Sequence, residues 1–211
     1  MKLTIFGATG RTGKYLLEQA LDAGYEVTVL VRSAEKITAE SPNLIIIQGD
    51  ARDAEKVDRA IRMAEAVLVT LGPVRGGPMD VMAKAAANIV SSMKAHNVKR
   101  VVFTTGAGVP APEDQPNLMN KLMGFLVKTL SRQVYQDSLK GVQIIQDSGL
   151  DWTIARGPML RDAPYNGNYQ VGYVGVNMSR TLSRGNFAHF VLKQVDDLSY
   201  LHKIPAISDI G

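Results

Sequence analysis

Apolar and polar residues follow two different periods along this chain, and the period switches repeatedly. Short, almost continuous apolar runs predict buried strands, whereas longer segments with an apolar residue at every third or fourth position predict amphipathic helices. The runs that predict strands are 3–6, 27–31, 44–47, 66–71, 100–105, 152–155 and 204–207. The segments that predict helices are 14–22, 53–63, 79–96, 118–147 (in one or two pieces) and 184–195, the last with Ser183 as its N-cap.

The order of these elements predicts the layer architecture. Strands that alternate with helices favour a mostly parallel, doubly wound sheet with helices on both faces. A length of 211 residues suits one domain. We therefore expect a single α/β domain over 1–211, in which an irregular region over about 157–211 covers the substrate. A surface loop is expected at 107–117, where prolines are frequent.

Gly7, Gly10 and Gly13 lie at even spacing between the first predicted strand and the first predicted helix. Such glycines allow a tight turn, let the backbone approach a pyrophosphate, and bring the helix close to the strand. The free amides and the positive dipole at the helix N-terminus attract phosphate. The turn therefore predicts a three-layer Rossmann fold that binds a dinucleotide. A P-loop is disfavoured, because Ala8 stands where its first glycine would be and Tyr15 where it needs Ser or Thr.

The end of the second predicted strand indicates which dinucleotide binds. An acidic residue about 20 positions after the turn would bind the ribose hydroxyls of NAD, whereas an arginine accommodates the 2′-phosphate of NADP. Arg32 takes that place, and the next carboxylate is Glu35. The sequence therefore predicts NADP(H) in preference to NAD(H), with Arg11 as a second phosphate contact. The alternative is that Arg32 is an exposed loop charge.

Composition excludes several kinds of chemistry. The chain has no cysteine, which excludes thiol nucleophiles, zinc–cysteine sites and iron–sulfur clusters, and we expect no metal site. The net charge of +4 raises the question of nucleic acid. The basic residues are scattered, however, so a phosphate-rich cofactor is the simpler partner and no nucleic acid is expected. With neither a long apolar stretch nor a signal peptide in the sequence, we expect a cytoplasmic protein that does not bind membranes.

The glycine turn and several later stretches resemble one group of proteins. The chain resembles the atypical short-chain dehydrogenases/reductases, and most of all the NAD(P)H-dependent flavin reductase/biliverdin reductase B-like proteins, with kinship to NmrA-like proteins. The stretches that carry this resemblance are 5–13, 23–32, 49–50, 88–90, 93–96, 148–150 and 188–190. They span nearly the whole chain, and the first two are the most specific.

The resemblance implies roles for the matching residues. Those implied to bind the phosphates are Gly7, Thr9, Gly10, Thr12 and Gly13, with Arg32 at the 2′-phosphate. Asp50 and Ala51 are implied to lie at the adenine. Those implied to border the ribose and the nicotinamide are Leu71, Gly72, Thr104, Thr105 and Gly106.

The chain departs from this family's pattern at positions that carry catalytic polar groups. Gly106 stands in place of a serine and Met159 in place of a histidine. The Tyr-x-x-x-Lys pair of ordinary short-chain dehydrogenases is also missing, because Lys140 comes one residue too late after Tyr135. On a helix that offset turns Lys140 about 100° away from the required face. The candidate catalytic residues are therefore only Thr105, Tyr135 and Lys140, and no catalytic role is expected for the histidines.

The substrate site is expected beyond the ends of the middle strands, walled by 107–117 and 157–175 and rather apolar. We assign Met159 and Tyr165 to it. Other residues that could line it, or simply pack in the core and loops, are Met119, Met123, Trp152, Tyr169 and Met178.

These features predict an NADPH-dependent reductase that transfers hydride to a flat conjugated acceptor such as a flavin or a quinone. The cofactor carries such a reaction, so the protein needs few acid–base groups of its own. The alternative is a non-catalytic NADP(H)-sensing regulator of the NmrA type. An isomerase or epimerase is disfavoured, because it would need the Tyr–Lys pair.

Overall fold

An eight-stranded sheet forms the centre of the molecule. The computed structural model describes residues 1–73, 77–118, 120–122, 129, 131–176 and 178–210. The strands are β1 (Lys2–Phe6), β2 (Glu26–Val31), β3 (Leu44–Gln48), β4 (Ala66–Val69), β5 (Arg100–Gly106), β6 (Asp151–Gly157), β7 (Met159–Arg161), β8 (Tyr169–Gly172), β9 (Thr181–Ser183) and β10 (Ala206–Asp209). The helices are α1 (Arg11–Asp22), α2 (Ala54–Ile61), α3 (Val81–Ala95), α4 (Arg132–Gln146) and α5 (Arg184–Lys193), with short 3₁₀ turns at Ala34–Lys36 and Leu198–Tyr200.

The strand order is β3-β2-β1-β4-β5-β6-β10-β8. The first seven strands in this order are parallel, and β8 closes the edge antiparallel to β10. A separate parallel pair, β7 with β9, stands beyond the end of β6. The doubly wound, mostly parallel sheet of a Rossmann fold is thereby confirmed. Because the order reverses between β1 and β4, the carboxyl ends of these strands leave a crevice for a ligand.

The sheet is buried on both faces, which explains why its strands read as continuous apolar runs. On one face, α1 and α5 pack side by side on the sheet through residues such as Leu16 and Phe187. On the other face lie α2, α3 and α4, with Ile61, Ile89 and Ile145 in the core. None of the helices in the described part of the chain combines the length and the apolar character needed to cross a membrane.

Most predicted elements are present, with shifted ends. Helix α1 begins at Arg11 rather than at residue 14, because the last part of the glycine turn is already helical. The N-cap of α5 is confirmed, since the Ser183 hydroxyl accepts from the Asn186 amide at 3.0 Å. The helix expected over 118–147 is described continuously from Arg132, and residues 119, 123–128 and 130 lie outside the described ranges. Strand β10 begins at Ala206, two residues later than expected.

Candidate functional site

The glycine turn at the end of β1 fits tightly into the protein. Gly7 has φ +89°, and a Cβ atom there would lie 2.7 Å from the Thr70 carbonyl. A Cβ atom on Gly13 would lie 2.0 Å from the Gly7 carbonyl oxygen, too close for any side chain. The chain therefore needs glycine at both positions to form the turn and to bring α1 against β1.

Gly10 has a different reason to be glycine. It is the N-cap of α1, is exposed, and has no side chain with which to cap the helix. A Cβ atom there would meet only the Gly7 carbonyl oxygen, at 3.1 Å, so the protein itself demands glycine less strictly. The first amides of α1, those of Arg11, Thr12 and Gly13, have no acceptor within the helix. No acidic residue stands in this first turn, so the positive end of the helix dipole is available to an anion.

This geometry fits the pyrophosphate of a dinucleotide. Thr9 and Thr12 flank Gly10 and are partly exposed, so their hydroxyls can also contact phosphate. The Arg11 guanidinium stands 3.5 Å from the Asp162 carboxylate, with 73% and 58% of the two side chains exposed. Such an exposed pair contributes little free energy, so Arg11 can turn to a phosphate at small cost.

Two arginines surround one carboxylate after the ends of β2 and β3, where the ribose is expected. Asp50 accepts from the Nε and Nη2 atoms of Arg52, each at 3.0 Å, and from the Arg52 amide at 2.9 Å. These bonds, assisted by the charge of Arg32, hold the pKa of the Asp50 carboxyl below its usual value. Arg32 is exposed and lies close enough to Asp50 for their charges to interact. Arg52 was missed from the sequence, where its only signal is its position two residues after Asp50.

The segment that carries Asp50 is tied to α3. The Asn88 side-chain amide donates to the Ala51 carbonyl oxygen at 3.1 Å. Asn88 belongs to one of the stretches that carry the family resemblance, but no role for it follows from the sequence alone. This bond fixes the backbone at which we expect the adenine.

The carboxyl ends of β4, next to β1, and of β5, one strand further along, border open space. A Cβ atom added to Gly72 or to Gly106 would meet no described atom within 4 Å. Thr104 is buried, and the buried Thr105 hydroxyl has no hydrogen-bond partner among the described residues. A buried hydroxyl without a partner is costly, and a polar group of a bound ligand would satisfy it. The assignment of Leu71, Gly72 and Gly106 to the ribose and nicotinamide stays a prediction.

A buried ion pair with β6 and backbone bonds to Val174 hold the two loops that were expected to wall the substrate site. Arg156, with none of its side chain exposed, contacts both carboxylate oxygens of Asp114 at 2.7 Å. Asp114 also accepts from the Val174 amide at 2.9 Å, and the Gln115 amide donates to the Val174 carbonyl oxygen at 2.9 Å. The loop at 107–117 and the segment after β8 are thereby held together over the end of β6.

A cleft of about 470 Å³ opens beside this junction. The residues that line it are Asn117, Asn120, Gln170, Gly175, Met178, Ser179 and Arg180. The lining of this cleft is mostly polar, with amide and guanidinium groups and a single methionine. Met159 lies next to it, since its amide donates to the Arg180 carbonyl oxygen at 3.2 Å, and its side chain is 68% exposed. Met119 and Met123 lie outside the described residues.

Tyr165 lies elsewhere. Its ring stacks on the His189 ring of α5, with the two centroids 4.1 Å apart. The Tyr169 hydroxyl shares a hydrogen bond of 3.0 Å with the same histidine. Tyr165 therefore packs against α5 and does not line the cleft, while its assignment to the substrate site stays a prediction.

Sequence comparison identifies the group to which the chain is related. The family described as NAD(P)H-binding matches residues 7–198. The chain belongs to the NAD(P)H-binding family. An uncharacterised chloroplast protein of Arabidopsis thaliana is 26% identical over 209 residues, which cover 92% of this chain and 70% of that protein. The uncharacterised protein YwnB of Bacillus subtilis is 25% identical over 205 residues, which cover 95% of this chain and 93% of that protein.

A third relative of this NAD(P)H-binding chain has a named activity. The (4-alkanoyl-5-oxo-2,5-dihydrofuran-3-yl)methyl phosphate reductase of Streptomyces griseus is 27% identical over 155 residues. The match covers 73% of this chain and 46% of that protein, so the chain spans about half its length.

Solved structures agree on the fold. A short-chain dehydrogenase/reductase of Veillonella parvula, in complex with NADP, superposes with a TM-score of 0.79 at 22% identity. The superposition covers 100% of this chain and 95% of the V. parvula chain. ChuY, an anaerobillin reductase of Escherichia coli O157:H7, superposes with a TM-score of 0.77 at 20% identity. The superposition covers 99% of this chain and 97% of the ChuY chain. The resemblance to this group of Rossmann-fold proteins is thus confirmed.

The candidate acid–base residues are not brought to the crevice as a pair. Tyr135 is buried and Lys140 is exposed on α4, which runs without a break from Arg132 to Gln146. An unbroken helix gives no kink that would place Lys140 on the face of Tyr135, in agreement with their spacing. Thr105 is the one candidate of the three that lies at the carboxyl end of a sheet strand, β5.

The three histidines have structural partners. His96 contacts the Asp58 carboxylate at 2.7 Å, His189 the Tyr169 hydroxyl at 3.0 Å, and His202 the Leu150 carbonyl oxygen at 3.0 Å. Within the described ranges, no three His, Asp or Glu side chains are grouped to hold a metal ion.

Proposed function

We propose that this NAD(P)H-binding protein is an NADPH-dependent reductase that transfers hydride to a flat conjugated acceptor such as a flavin or a quinone. The observation that carries the proposal is the open space at the ends of β4, which is next to β1 and its glycine turn, and of β5, one strand further along the sheet. A planar ring has room above Gly72 and Gly106, where no described atom would meet even an added methyl group. The cleft beyond β6 would supply space for an acceptor.

Bound NADPH would supply the hydride, and the chain would bind and orient the two rings and exclude water. The amides of Arg11, Thr12 and Gly13 would hold the pyrophosphate. The Thr105 hydroxyl would donate to, or accept from, a polar group of the ligand. The linked loops at 107–117 and 173–176 would cover the acceptor from solvent.

The charges around Asp50 favour NADP(H) over NAD(H). Asp50 would repel a 2′-phosphate, but both of its carboxylate oxygens are bonded to Arg52. The charge of Arg32 is then left for the phosphate. A guanidinium binds phosphate well because its donors form a rigid fork. The V. parvula structure with NADP supports this choice.

The placement of the candidate acid–base residues favours a conjugated acceptor. An alcohol or ketone substrate would need a proton relay at the oxygen, and Tyr135 and Lys140 lie on different faces of α4. A flavin or quinone ring accepts hydride and takes its proton from solvent. The reductase named among the relatives and the ChuY structure are consistent with reduction.

The test is the oxidation of NADPH, followed by the loss of its absorbance, with free flavins and quinones as acceptors. The wild type is expected to oxidise NADPH with at least one of them and to oxidise NADH more slowly. Gly10→Val is the matched control, because it is expected to lose nucleotide binding while remaining folded. If the wild type binds NADPH tightly but reduces no acceptor, the reductase is refuted and the NADP(H)-sensing regulator is favoured.

A further inference from the structure

Strand β3 lies at one edge of the sheet, and among the described residues β2 is the only strand that pairs with it. At one end of this pair, the Val27 amide donates to the Asn43 carbonyl oxygen at 2.7 Å. At the other end, the Gly49 amide donates to the Val31 carbonyl oxygen at 2.9 Å. In a parallel pair every second residue of a strand bonds to its neighbour. The odd-numbered residues of β3 therefore bond to β2, and the even-numbered ones direct their N–H and C=O groups outward.

The side chains along this edge are apolar on both faces of the sheet. Ile45 is 60% exposed and Ile46 is 41% exposed, and successive residues of a strand point to opposite faces. Met63, which is 67% exposed, lines the same shallow groove as Ile45. The segment 41–49 contains no charged residue, although exposed edge strands commonly carry charges that prevent pairing with another chain. This edge is therefore open to a further strand.

We infer that β3 forms an interface between two copies of this chain, paired antiparallel about a two-fold axis at Ile46. In this register all five residues of β3 are paired, and Ile46 exchanges both backbone bonds with the same residue of the second copy. Leu44 then lies opposite Gln48 of the second copy, so its outward carbonyl oxygen accepts from the Gln48 amide. The Leu44 amide needs no partner there, because it already donates to the Ser41 carbonyl oxygen at 3.2 Å.

The same axis brings the exposed apolar side chains together. Ile45 lies opposite Ile47 of the second copy, on the face that α2 covers, and Met63 after α2 borders this contact. On the other face, the two Ile46 side chains meet across the axis. Cross-strand pairs of β-branched residues stabilise a sheet, whereas like charges directly opposite each other destabilise it. A strand without charges can therefore pair with its own copy without repulsion.

The small size of this interface sets the expected affinity. Stable interfaces usually involve roughly 20–30 residues on each side, more than a five-residue strand and Met63 supply. We therefore expect a weak dimer, with a Kd on the order of 10 µM to 1 mM. The inference goes beyond the proposed reductase and does not depend on it, because the nucleotide crevice lies between β1 and β4.

Sedimentation equilibrium of the full chain over this range of concentrations tests the inference. The wild type is expected to dimerise. Ile46→Lys and Ile46→Glu should each weaken the dimer at least about 10-fold, because each places two like charges opposite one another. An equimolar mixture of the two variants should associate again, since a lysine then faces a glutamate across the axis.

Two further variants separate pairing from folding. Ile46→Pro removes an N–H group that β2 does not use, and edge strands tolerate proline at such a position. This variant should remain folded by circular dichroism and lose the dimer. Leu198→Lys charges a residue that is 56% exposed in the 3₁₀ turn after α5, and it should dimerise like the wild type. All variants should bind NADPH with unchanged affinity in calorimetric titration.

Three results would overturn the inference. A wild type that stays monomeric at every concentration would leave another protein as the occupant of the edge. A dimer that persists in Ile46→Lys would place the interface elsewhere on the molecule. A mixture of Ile46→Lys and Ile46→Glu that stays monomeric would exclude the two-fold axis at Ile46. If Ile46→Pro does not fold, the two charged variants and their mixture decide.

Discussion

Asp114→Asn is expected to destabilise the protein strongly, because it removes the counter-ion of a fully buried cation. Arg156 has none of its side chain exposed, and its Nη1 and Nη2 atoms each contact Asp114 at 2.7 Å. Its remaining bonds go to the Val109 and Ile204 carbonyl oxygens, which carry no charge. In the variant the guanidinium keeps these two acceptors but loses the only carboxylate that faces it among the described residues.

The size of the effect follows from the burial. Removing one partner of a buried ion pair costs about 3–5 kcal/mol, because the other charge stays desolvated. The Val109 and Ile204 carbonyl oxygens still accept from Arg156, so we expect a loss at the lower end of this range, about 3 kcal/mol. The matched control is Glu26→Gln, whose pair with Lys2 has 58% and 44% of its side chains exposed. Exposed pairs contribute about 0–1 kcal/mol, so this variant should unfold almost like the wild type.

The assay is urea-induced unfolding at neutral pH, followed by circular dichroism. A loss for Asp114→Asn no larger than that for Glu26→Gln would contradict the reasoning. The double variant Asp114→Asn with Arg156→Met should recover part of the loss, because it leaves no buried charge. A coupling free energy near zero in this cycle would show that the two residues act independently.

The same pair predicts a dependence on pH. Burial by itself raises the pKa of Asp114, but the bond from Arg156 and the amides of Ala111 and Val174 outweigh it and leave the pKa below its usual value. A carboxyl with a lowered folded pKa stabilises the protein above its unfolded pKa of about 4 and loses that contribution as the pH falls through the folded value. The free energy of unfolding of the wild type should therefore fall below pH about 4. The free energy of unfolding of Asp114→Asn should depend less steeply on pH in this range, because the variant lacks one carboxyl that titrates there. Identical pH dependences for the variant and the wild type would contradict a lowered pKa of Asp114.

Three further predictions concern the nucleotide site. Arg32→Ala should weaken NADPH about 10- to 100-fold in calorimetric titration and leave NADH almost unchanged, since a charge-assisted hydrogen bond contributes roughly 1.5–3 kcal/mol; equal losses for both would refute the assignment. Arg52→Ala should also weaken NADPH more than NADH, because it frees the Asp50 carboxylate beside the 2′-phosphate, and a gain for NADPH would exclude this role. Tyr135→Phe should leave NADPH oxidation unchanged, and loss of activity would instead assign Tyr135 to catalysis.

The sequence by itself determined the features that depend on local spacing. The alternation of apolar runs and amphipathic segments predicted the parallel sheet with helices on both faces. Gly7, Gly10 and Gly13 predicted the turn between β1 and α1, since each acts within a few residues of chain. Ser183 likewise predicted its own helix start, because an N-cap bonds an amide only three residues away.

Only the tertiary structure decided which distant residues meet. Asp137 on α4 accepts from the Met82 and Ala83 amides and thereby caps α3, a bond across 55 residues of chain. Arg156 and Asp114 are likewise brought together across 42 residues. The polarity of the cleft around Arg180 depends in the same way on segments that are separate in sequence. Such contacts leave no periodic signal, because a buried charge selects its partner by position in space and not by spacing along the chain.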